Sequence, residues 1–285
     1  MHRIFLEQLK QRAASPNSST PRPFLRWAGS KRYLLKYLVN VLPNSFKTYR
    51  EPFLGSGSLY FLLQPSKACL SDKSPELIDS FRAIKENAKA VLNNLSKINN
   101  DKETYYHIRA NRSSNRYKKA AEFLFLNKTC WNGLYRVNSS GEFNVPYGYV
   151  KLKDLVDKEN IALCAQLLNN SHTFLEVCDF EENLSKATKG DLVYLDPPYT
   201  TGHNNNGFIS YNENIFSWED QIRLATLANK LVEKGVYVIV SNANHDEILK
   251  LYPNFTRLVV ERSSTISSKN KGRGKITEIV LSSQN

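Results

Sequence analysis

The stretch with the clearest chemistry is Asp196-Pro197-Pro198-Tyr199, which directly follows the apolar run Leu192-Val193-Tyr194-Leu195. That run reads as a short buried strand, and the two prolines end it abruptly, because neither offers a ladder N–H and each fixes its own φ. The result is a rigid shelf carrying one carboxylate and one ring, where a parallel strand delivers its C-terminal end to a ligand crevice. A carboxylate accepts hydrogen bonds from an amino group and a ring stacks on a flat heterocycle, so the pair describes a pocket for an amino-bearing base. Taken alone, the tetrapeptide reads equally as a tight turn followed by a surface aromatic.

Two stretches nearer the N-terminus have the pattern of a nucleoside site. Glu51-Pro52-Phe53-Leu54-Gly55-Ser56-Gly57-Ser58 follows a strand expected over residues 46–50 and precedes the helical run Leu59-Tyr60-Phe61-Leu62-Leu63. Strand, glycine turn and helix bring a nucleoside against exposed backbone. The dinucleotide fingerprint wants a third glycine, however, and Tyr60 holds its place, which argues against a pyrophosphate cofactor. A second strand, Ala68-Cys69-Leu70-Ser71, ends in Asp72, placed to accept from ribose hydroxyls. Trp27 and Lys31 bracket a small-residue turn with Gly29 and Ser30, ahead of a helical pattern over residues 33–42. Backbone N–H groups at that helix start favour a carboxylate, and an ordinary capped helix is the plain alternative.

These stretches need a scaffold, and 285 residues suit one large α/β domain with an insertion. Residues 1–21 read as a flexible tail, poor in apolar content beyond a short amphipathic piece. Residues 22–73 and 154–285 alternate strand and helix patterns, and 74–153 change character. The insertion begins with a polar pair of helices and the basic run 109–119, and continues through the buried helix pattern of 120–128. It then turns back as a hairpin, Trp131 to Asn138, a Ser-Gly turn, and Glu142 to Gly148. Arg, Asn and aromatic side chains on a projecting hairpin suit groove readout and base-step insertion, with a hairpin folded onto its own domain as the alternative. Residues 200–214 read as a mobile loop beside the shelf. Residues 263–275, with Lys269, Lys271 and Arg273, read as a flexible basic loop apt for phosphates.

The formal charge of +12 and pI near 9.4 favour a polyanionic partner, although a solvated basic surface gives the same total. Cys69, Cys130, Cys164 and Cys178 lie far apart in largely apolar surroundings, so they read as core residues in a reducing compartment, and no metal site is expected. No apolar run approaches the roughly 20 residues of a membrane span. A soluble, cytoplasmic, monomeric protein is the expectation.

Five blocks in order, Phe24-Leu25-Arg26-Trp27-Ala28-Gly29-Ser30-Lys31, Glu51 to Gly57, Asn132-Gly133-Leu134 through Asn144-Val145-Pro146-Tyr147-Gly148, Asp196 to Tyr199 and Ile266-Ser267-Ser268, resemble the Dam-type DNA adenine-N6 methyltransferases. The resemblance implies a Rossmann-like α/β methyltransferase sheet with an inserted, mostly helical DNA-recognition domain carrying the hairpin. It implies transfer of a methyl group from S-adenosyl-L-methionine to a flipped adenine in double-stranded DNA, in GATC, with the protein associated with the nucleoid. Carried over by position, Trp27, Lys31, Phe53, Gly55, Gly57, Asp72, Asp179, Phe180 and Asp196 fall at cofactor contacts. Asp196, Pro197, Pro198 and Tyr199 form the catalytic motif, and Arg26, Asn132, Leu134, Arg136 and Pro146 fall where family members meet DNA. Three departures stand out: Ser30 where glycine is common, Arg26 where lysine is common, and the segment after Gly148. An RNA or protein-glutamine methyltransferase shares a pocket of this type but not the basic insertion; a catalytically inactive DNA-binding relative is expected to have lost Asp196, which is present.

Overall fold

The computed structural model describes residues 2–3, 6–14, 19–27, 31–138, 140–150, 155–199, 216–263 and 275–283. Its centre is a seven-stranded sheet. In chain order the strands are β3 (Tyr49–Glu51), β4 (Lys67–Asp72), β5 (His172–Val177), β6 (Leu192–Leu195), β7 (Tyr237–Ala243), β8 (Phe255–Ser263) and β9 (Lys275–Ser283). In space they run β5-β4-β3-β6-β7-β9-β8. The first five are mutually parallel; β9 enters antiparallel beside β7 and pairs with β8 as a terminal hairpin. This is the expected Rossmann-like methyltransferase architecture.

Strand β6 is buried at all four positions, as a central parallel strand must be when helices cover both faces. Its side chains alternate between two cores. Leu192 and Tyr194 join the one shared with α4 (Pro75–Leu95) and α6 (Arg116–Thr129). Val193 and Leu195 join the one under α8 (Phe180–Ser185), α9 (Trp218–Glu233) and α10 (Asp246–Leu251). Helix α9 opens with a capping box between Ser217 and Asp220, as its sequence predicts. Strands β3 and β6 are tied at their N-terminal ends by a buried pair: Arg50 Nε lies 3.0 Å from Asp191 Oδ2, and the Thr48 and Thr188 N–H groups donate to the same carboxylate.

The inserted helices do not stand apart from the sheet. Ser74 caps α4 and Pro75 sits at its first turn. The helix then breaks at Asn87, whose side chain recaps the second half through the Ala90 N–H. Arg82 and Lys85 of α4 donate to the Leu175 and Thr173 carbonyls of β5, and Phe81 shares one core with Phe123 and Phe125 of α6. Helix α5 (Lys102–Ala110) carries the hairpin: Tyr105 Oη donates to the Val145 carbonyl at 2.8 Å. The hairpin closes through single bridges, Val137 to Phe143 and Cys130 to Tyr147, rather than a continuous ladder. Helix α7 (Lys158–Asn170) then leads into β5.

The structure differs from the sequence reading at several places. The stretch read as a flexible tail holds β1 (His2–Arg3), paired with β2 (Ser45–Phe46), and α1 (Leu6–Ala14), whose Leu9 is buried against the main core. The helix expected over 33–42 is a 3-10 turn, Arg32–Leu34, followed by the four residues of α2 (Leu35–Leu38). Pro43 ends the pattern, because the residue before a proline is driven out of the α region. Tyr60, in α3 (Ser58–Leu63), is fully buried, with its hydroxyl bonded to Thr173 Oγ1 at 3.0 Å and Ser171 Oγ at 3.2 Å. The ring at the third-glycine position is therefore a tether between α3 and β5. No helix among the described residues is long and apolar enough to cross a membrane.

Candidate active site

Strand order reverses between β3 and β6, so a crevice opens at their C-terminal ends. The glycine turn leaves β3 on one side and the proline shelf leaves β6 on the other. On the shelf, Asp196 Oδ1 accepts from Ser241 Oγ at 2.6 Å and lies 3.3 Å from Lys31 Nζ. With its single proton committed to Asp196, Ser241 must accept from Tyr194 Oη, 3.0 Å away, so a chain of hydroxyls orients the carboxylate. Both contacts fall on Oδ1; among the described residues no side chain is placed to donate to Oδ2, which can accept from a ligand. Burial pushes the Asp196 carboxyl above the usual range; Lys31 and the Ser241 hydroxyl pull it back part of the way.

The second proline is pinned from behind. Buried Gln221 of α9 donates to the Pro198 carbonyl at 3.1 Å and accepts from Asn242 of β7 at the same distance. No described group donates to the Pro197 carbonyl. Tyr199 places its ring 4.2 Å from Lys31 Nζ, and its hydroxyl donates to Glu278 Oε2 at 2.9 Å. Tyr33 Oη donates to the same oxygen. Burial, then the charges of Asp196 and Glu278, push the Tyr199 phenol well up, so it remains a neutral donor.

On the glycine side, Gly55 and Gly57 both have positive φ, 47° and 67°. A Cβ on Gly55 would lie 2.9 Å from Trp27 Cδ1, so the glycine seats the indole, which stacks on Tyr135 with centroids 4.7 Å apart. Asp72 closes this side: its Oδ2 accepts the Gly55 N–H at 3.1 Å and its Oδ1 the Ser74 N–H at 3.0 Å. Burial raises the Asp72 carboxyl, against the pull of those N–H groups. Phe53 stacks on Phe180 at 5.6 Å and meets Phe216 edge-on at 5.5 Å. Asp179 caps α8 through the Glu181 N–H and pairs with Lys73 at 2.9 Å and Arg223 at 3.1 Å. Burial alone would raise its carboxyl, but these donors outweigh it and hold it low.

The contacts form three groups about the crevice: Trp27, Gly55 and Asp72, with Gly57 in the same turn; Phe53 and Phe180, with Asp179 joined through Arg223; and Lys31 with Asp196 and Tyr199 of the shelf. The crevice's donor set fits a nucleoside bearing an amino acid tail. Asp72 retains a lone pair on each oxygen for ribose hydroxyls, and the phenylalanine cluster offers an apolar face. Among the described residues no cluster of His, Cys, Asp or Glu could hold a metal.

The residues expected to meet DNA gather at the hairpin base. Arg26 packs against Gly133, where an added Cβ would lie 2.9 Å from Arg26 Cδ, and its backbone is clamped by the Asn127 side chain. Asn132 is exposed in the left-handed region at φ 53°. Leu134 is half-buried; Arg136 is exposed, with Nε donating to Asn144 Oδ1 at 2.8 Å. Pro146 is exposed, and its carbonyl accepts the Trp131 N–H. Gly29, Ser30, the 200–214 loop, the Ile266-Ser267-Ser268 block and Lys269, Lys271 and Arg273 lie outside the described residues.

Sequence reasoning missed Glu278, Tyr33, Ser241 and Gln221. One signal was available: Glu278 is an acid inside an otherwise apolar strand, Ile276-Thr277-Glu278-Ile279-Val280-Leu281, where only a buried partner justifies it.

Residues 27–266 match the model of the D12 class N6 adenine-specific DNA methyltransferases. A type II methyltransferase of Lactococcus lactis subsp. cremoris is 38% identical, over 93% of this chain and 96% of the relative. A type II methyltransferase of Methanocaldococcus jannaschii is 35% identical, over 91% and 98%. The DNA adenine methylase of Escherichia coli K12 is 33% identical, over 91% and 94%.

Proposed function

The chain belongs to the D12 class N6 adenine-specific DNA methyltransferases, and from that premise we propose that it methylates N6 of an adenine swung out of duplex DNA, within GATC, using S-adenosyl-L-methionine. The observation that carries the reading is the shelf. Asp196 is held by Ser241 and Lys31 through one oxygen, with the other left to accept, beside a ring whose hydroxyl is anchored by Glu278.

Adenine's amine is a poor nucleophile because its lone pair is delocalised into the ring. Asp196 Oδ2 and the Pro197 carbonyl accept the two amine hydrogens, which favours a tetrahedral nitrogen with its lone pair localised. Tyr199 stacks on the base and fixes its plane. Bound S-adenosylmethionine supplies an electrophilic methyl group. As N6 took the methyl group and the methyl–sulfonium bond broke to leave the thioether S-adenosylhomocysteine, the positive charge passing from sulfur to N6 would lie next to the Asp196 carboxylate, which would stabilise it and then take up one amine proton. No covalent nucleophile is required, so positioning and electrostatics supply the acceleration. Extruding the base costs a few kcal/mol, offset by stacking on Tyr199 and by contacts to the strands.

Residues 74–153 act as the DNA-recognition unit, with Arg26, Asn132, Leu134, Arg136 and Pro146 facing the duplex and the basic 263–275 loop on phosphates. The match of Leu134 and Arg136 to family positions that meet the inner and outer bases supports GATC. The chain works as a cytoplasmic, nucleoid-associated monomer, and its similarity to type II methyltransferases supports a place beside a restriction enzyme. Mapping N6-methyladenine after incubation with S-adenosylmethionine and random-sequence duplex tests this: methylation confined to GATC is expected, and another motif overturns the specificity. RNA in place of DNA is expected to remain unmodified.

A further inference from the structure

Beside the hairpin base lies a cavity of about 170 Å³ that the catalytic reading leaves unused. It is formed where the strap before α2 crosses α7 and the end of α6, with Phe24 and Ile161 on its apolar side and Arg22, Arg32, Lys128 and Asp157 on its polar side. Arg22 and Asp157 satisfy each other at 2.9 Å, and Asn160 clamps the Arg22 backbone through both its N–H and its carbonyl, so this wall is rigid. The remaining charges are cations. Among the described residues neither Arg32 nor Lys128 has a carboxylate partner, and Arg26 reaches the Lys128 carbonyl at 3.4 Å from the neighbouring face.

Placing a half-buried lysine beside two guanidinium groups is unfavourable unless an anion joins them. The strain is visible in Lys128, whose ammonium is pulled down to about 8, first by burial and then by Arg26 and Arg32. The cavity is also well placed. Arg32 follows Lys31, which contacts the catalytic carboxylate, and Lys128 lies three residues before Trp131, where the hairpin begins.

We propose that this cavity seats a phosphodiester of the bound DNA between Arg32 and Lys128, anchoring the backbone next to the base-reading hairpin. The inference rests on the proposed methylation of duplex DNA. A consequence follows from linkage. A phosphate beside Lys128 favours its charged form, so binding takes up a proton, and affinity is complete below pH 8 and falls as pH rises through the lysine's value in the free protein. The charged groups around Lys128 are Arg22, Arg26, Arg32 and Asp157.

The test is duplex binding followed by fluorescence anisotropy at constant ionic strength from pH 7 to 9.5. The proteins are wild type, Lys128→Arg, Lys128→Met and the surface variant Arg32→Met, each checked for an unchanged thermal transition. Wild-type affinity is expected to fall by up to about thirtyfold across the range, the limit set by loss of one proton near pH 8. Lys128→Arg should remove that fall, and each Met variant should reduce the slope of log affinity against log salt by about 0.9. Identical pH dependence in wild type and Lys128→Arg, or salt slopes unchanged in both Met variants, overturns the inference while leaving the methylation reading intact. Wild-type protein that binds no duplex overturns that reading and this inference with it. Calorimetry with inorganic phosphate alone separates the two sources of the anion: no saturable millimolar site is expected, and a saturable site abolished by Lys128→Met with DNA salt slopes unaltered assigns the cavity to a free anion instead.

Discussion

Replacing Tyr199 with Phe separates two roles that the ring and its hydroxyl play in this site. The hydroxyl donates to Glu278 Oε2 at 2.9 Å, and Glu278 is 2% exposed. A hydrogen bond to a buried charged acceptor is worth about 1.5–3 kcal/mol. Tyr33 still donates to the same oxygen after the substitution, so the carboxylate is not orphaned and the lower end applies. About 1.5 kcal/mol corresponds to a rate loss of about tenfold if the anchor holds the ring in its stacking plane. Tyr199→Ala removes, beyond the anchor, base stacking of about 1–3 kcal/mol and the Lys31 cation–π contact of about 0.5–2 kcal/mol, for a total loss of about 10²- to 10⁵-fold. The assay is single-turnover methyl transfer, with 2-aminopurine at the target position to report base extrusion independently. Glu278→Ala, which also deprives Tyr33 of its acceptor, should cost at least as much as Tyr199→Phe, and adding Tyr199→Phe to it should cost nothing further, because the Tyr199 contact is already lost. A Tyr199→Phe enzyme within twofold of wild type, or losses that multiply in the double variant, would refute the anchor.

Other outcomes follow from the same geometry. Because burial raises the Asp196 carboxyl and it must be ionised to accept from the amine, kcat/KM should fall with acidification at a pH above the usual carboxylate range. Ser241→Ala removes a hydrogen bond that pulls this value down, so its acid limb should move to higher pH; a limb that stays in place contradicts the Ser241 role. Asp72→Ala should raise the calorimetric Kd for S-adenosylmethionine by about one to two orders of magnitude, and an unchanged Kd removes Asp72 from the cofactor site. Arg136→Ala should relax discrimination at one guanine-bearing pair by about 1–3 kcal/mol in competitive methylation of single-substitution duplexes. Equal losses on all duplexes would make Arg136 a phosphate contact instead. Asp191→Ala leaves Arg50 buried and unpaired, so urea unfolding should show a destabilisation of about 3–5 kcal/mol; a loss below about 1 kcal/mol would mean that water repairs the site.

What was legible in the sequence is what local pattern controls. The run Leu192 to Leu195 announces a strand buried on both faces, and the two prolines that follow admit few backbone paths, so the shelf could be read directly. The same holds for the turn at Gly55 and Gly57, where positive φ demands glycine, and for Ser217, whose capping box lies within four residues. Register and long-range packing were not legible. Glu278 meets Tyr33 across 245 residues of chain, and only the antiparallel return of β9 beside β7 brings it beneath the shelf. Ser241 and Gln221 are unremarkable in their own segments; their roles come from the pairing of β7 with β6 and the seating of α9. The amphipathic piece at the N-terminus was visible, but its docking was not: Leu9 is its single buried side chain, Leu6 and Ala13 pack only partly, and the contacts it makes with α2 and α3 lie far along the chain. Helix α10 has six residues and takes its cap from His245, too short a pattern to distinguish from a turn.

The most direct test of the account is transfer of labelled methyl from S-adenosylmethionine to a duplex containing one GATC site, with the product digested to nucleosides, by wild type and Asp196→Ala. Both proteins should show the same thermal transition, and the wild type should yield N6-methyl-2′-deoxyadenosine while the variant yields none above background. Near-wild-type turnover by Asp196→Ala, or label recovered in any other nucleoside, would contradict the assignment of the shelf as the catalytic centre.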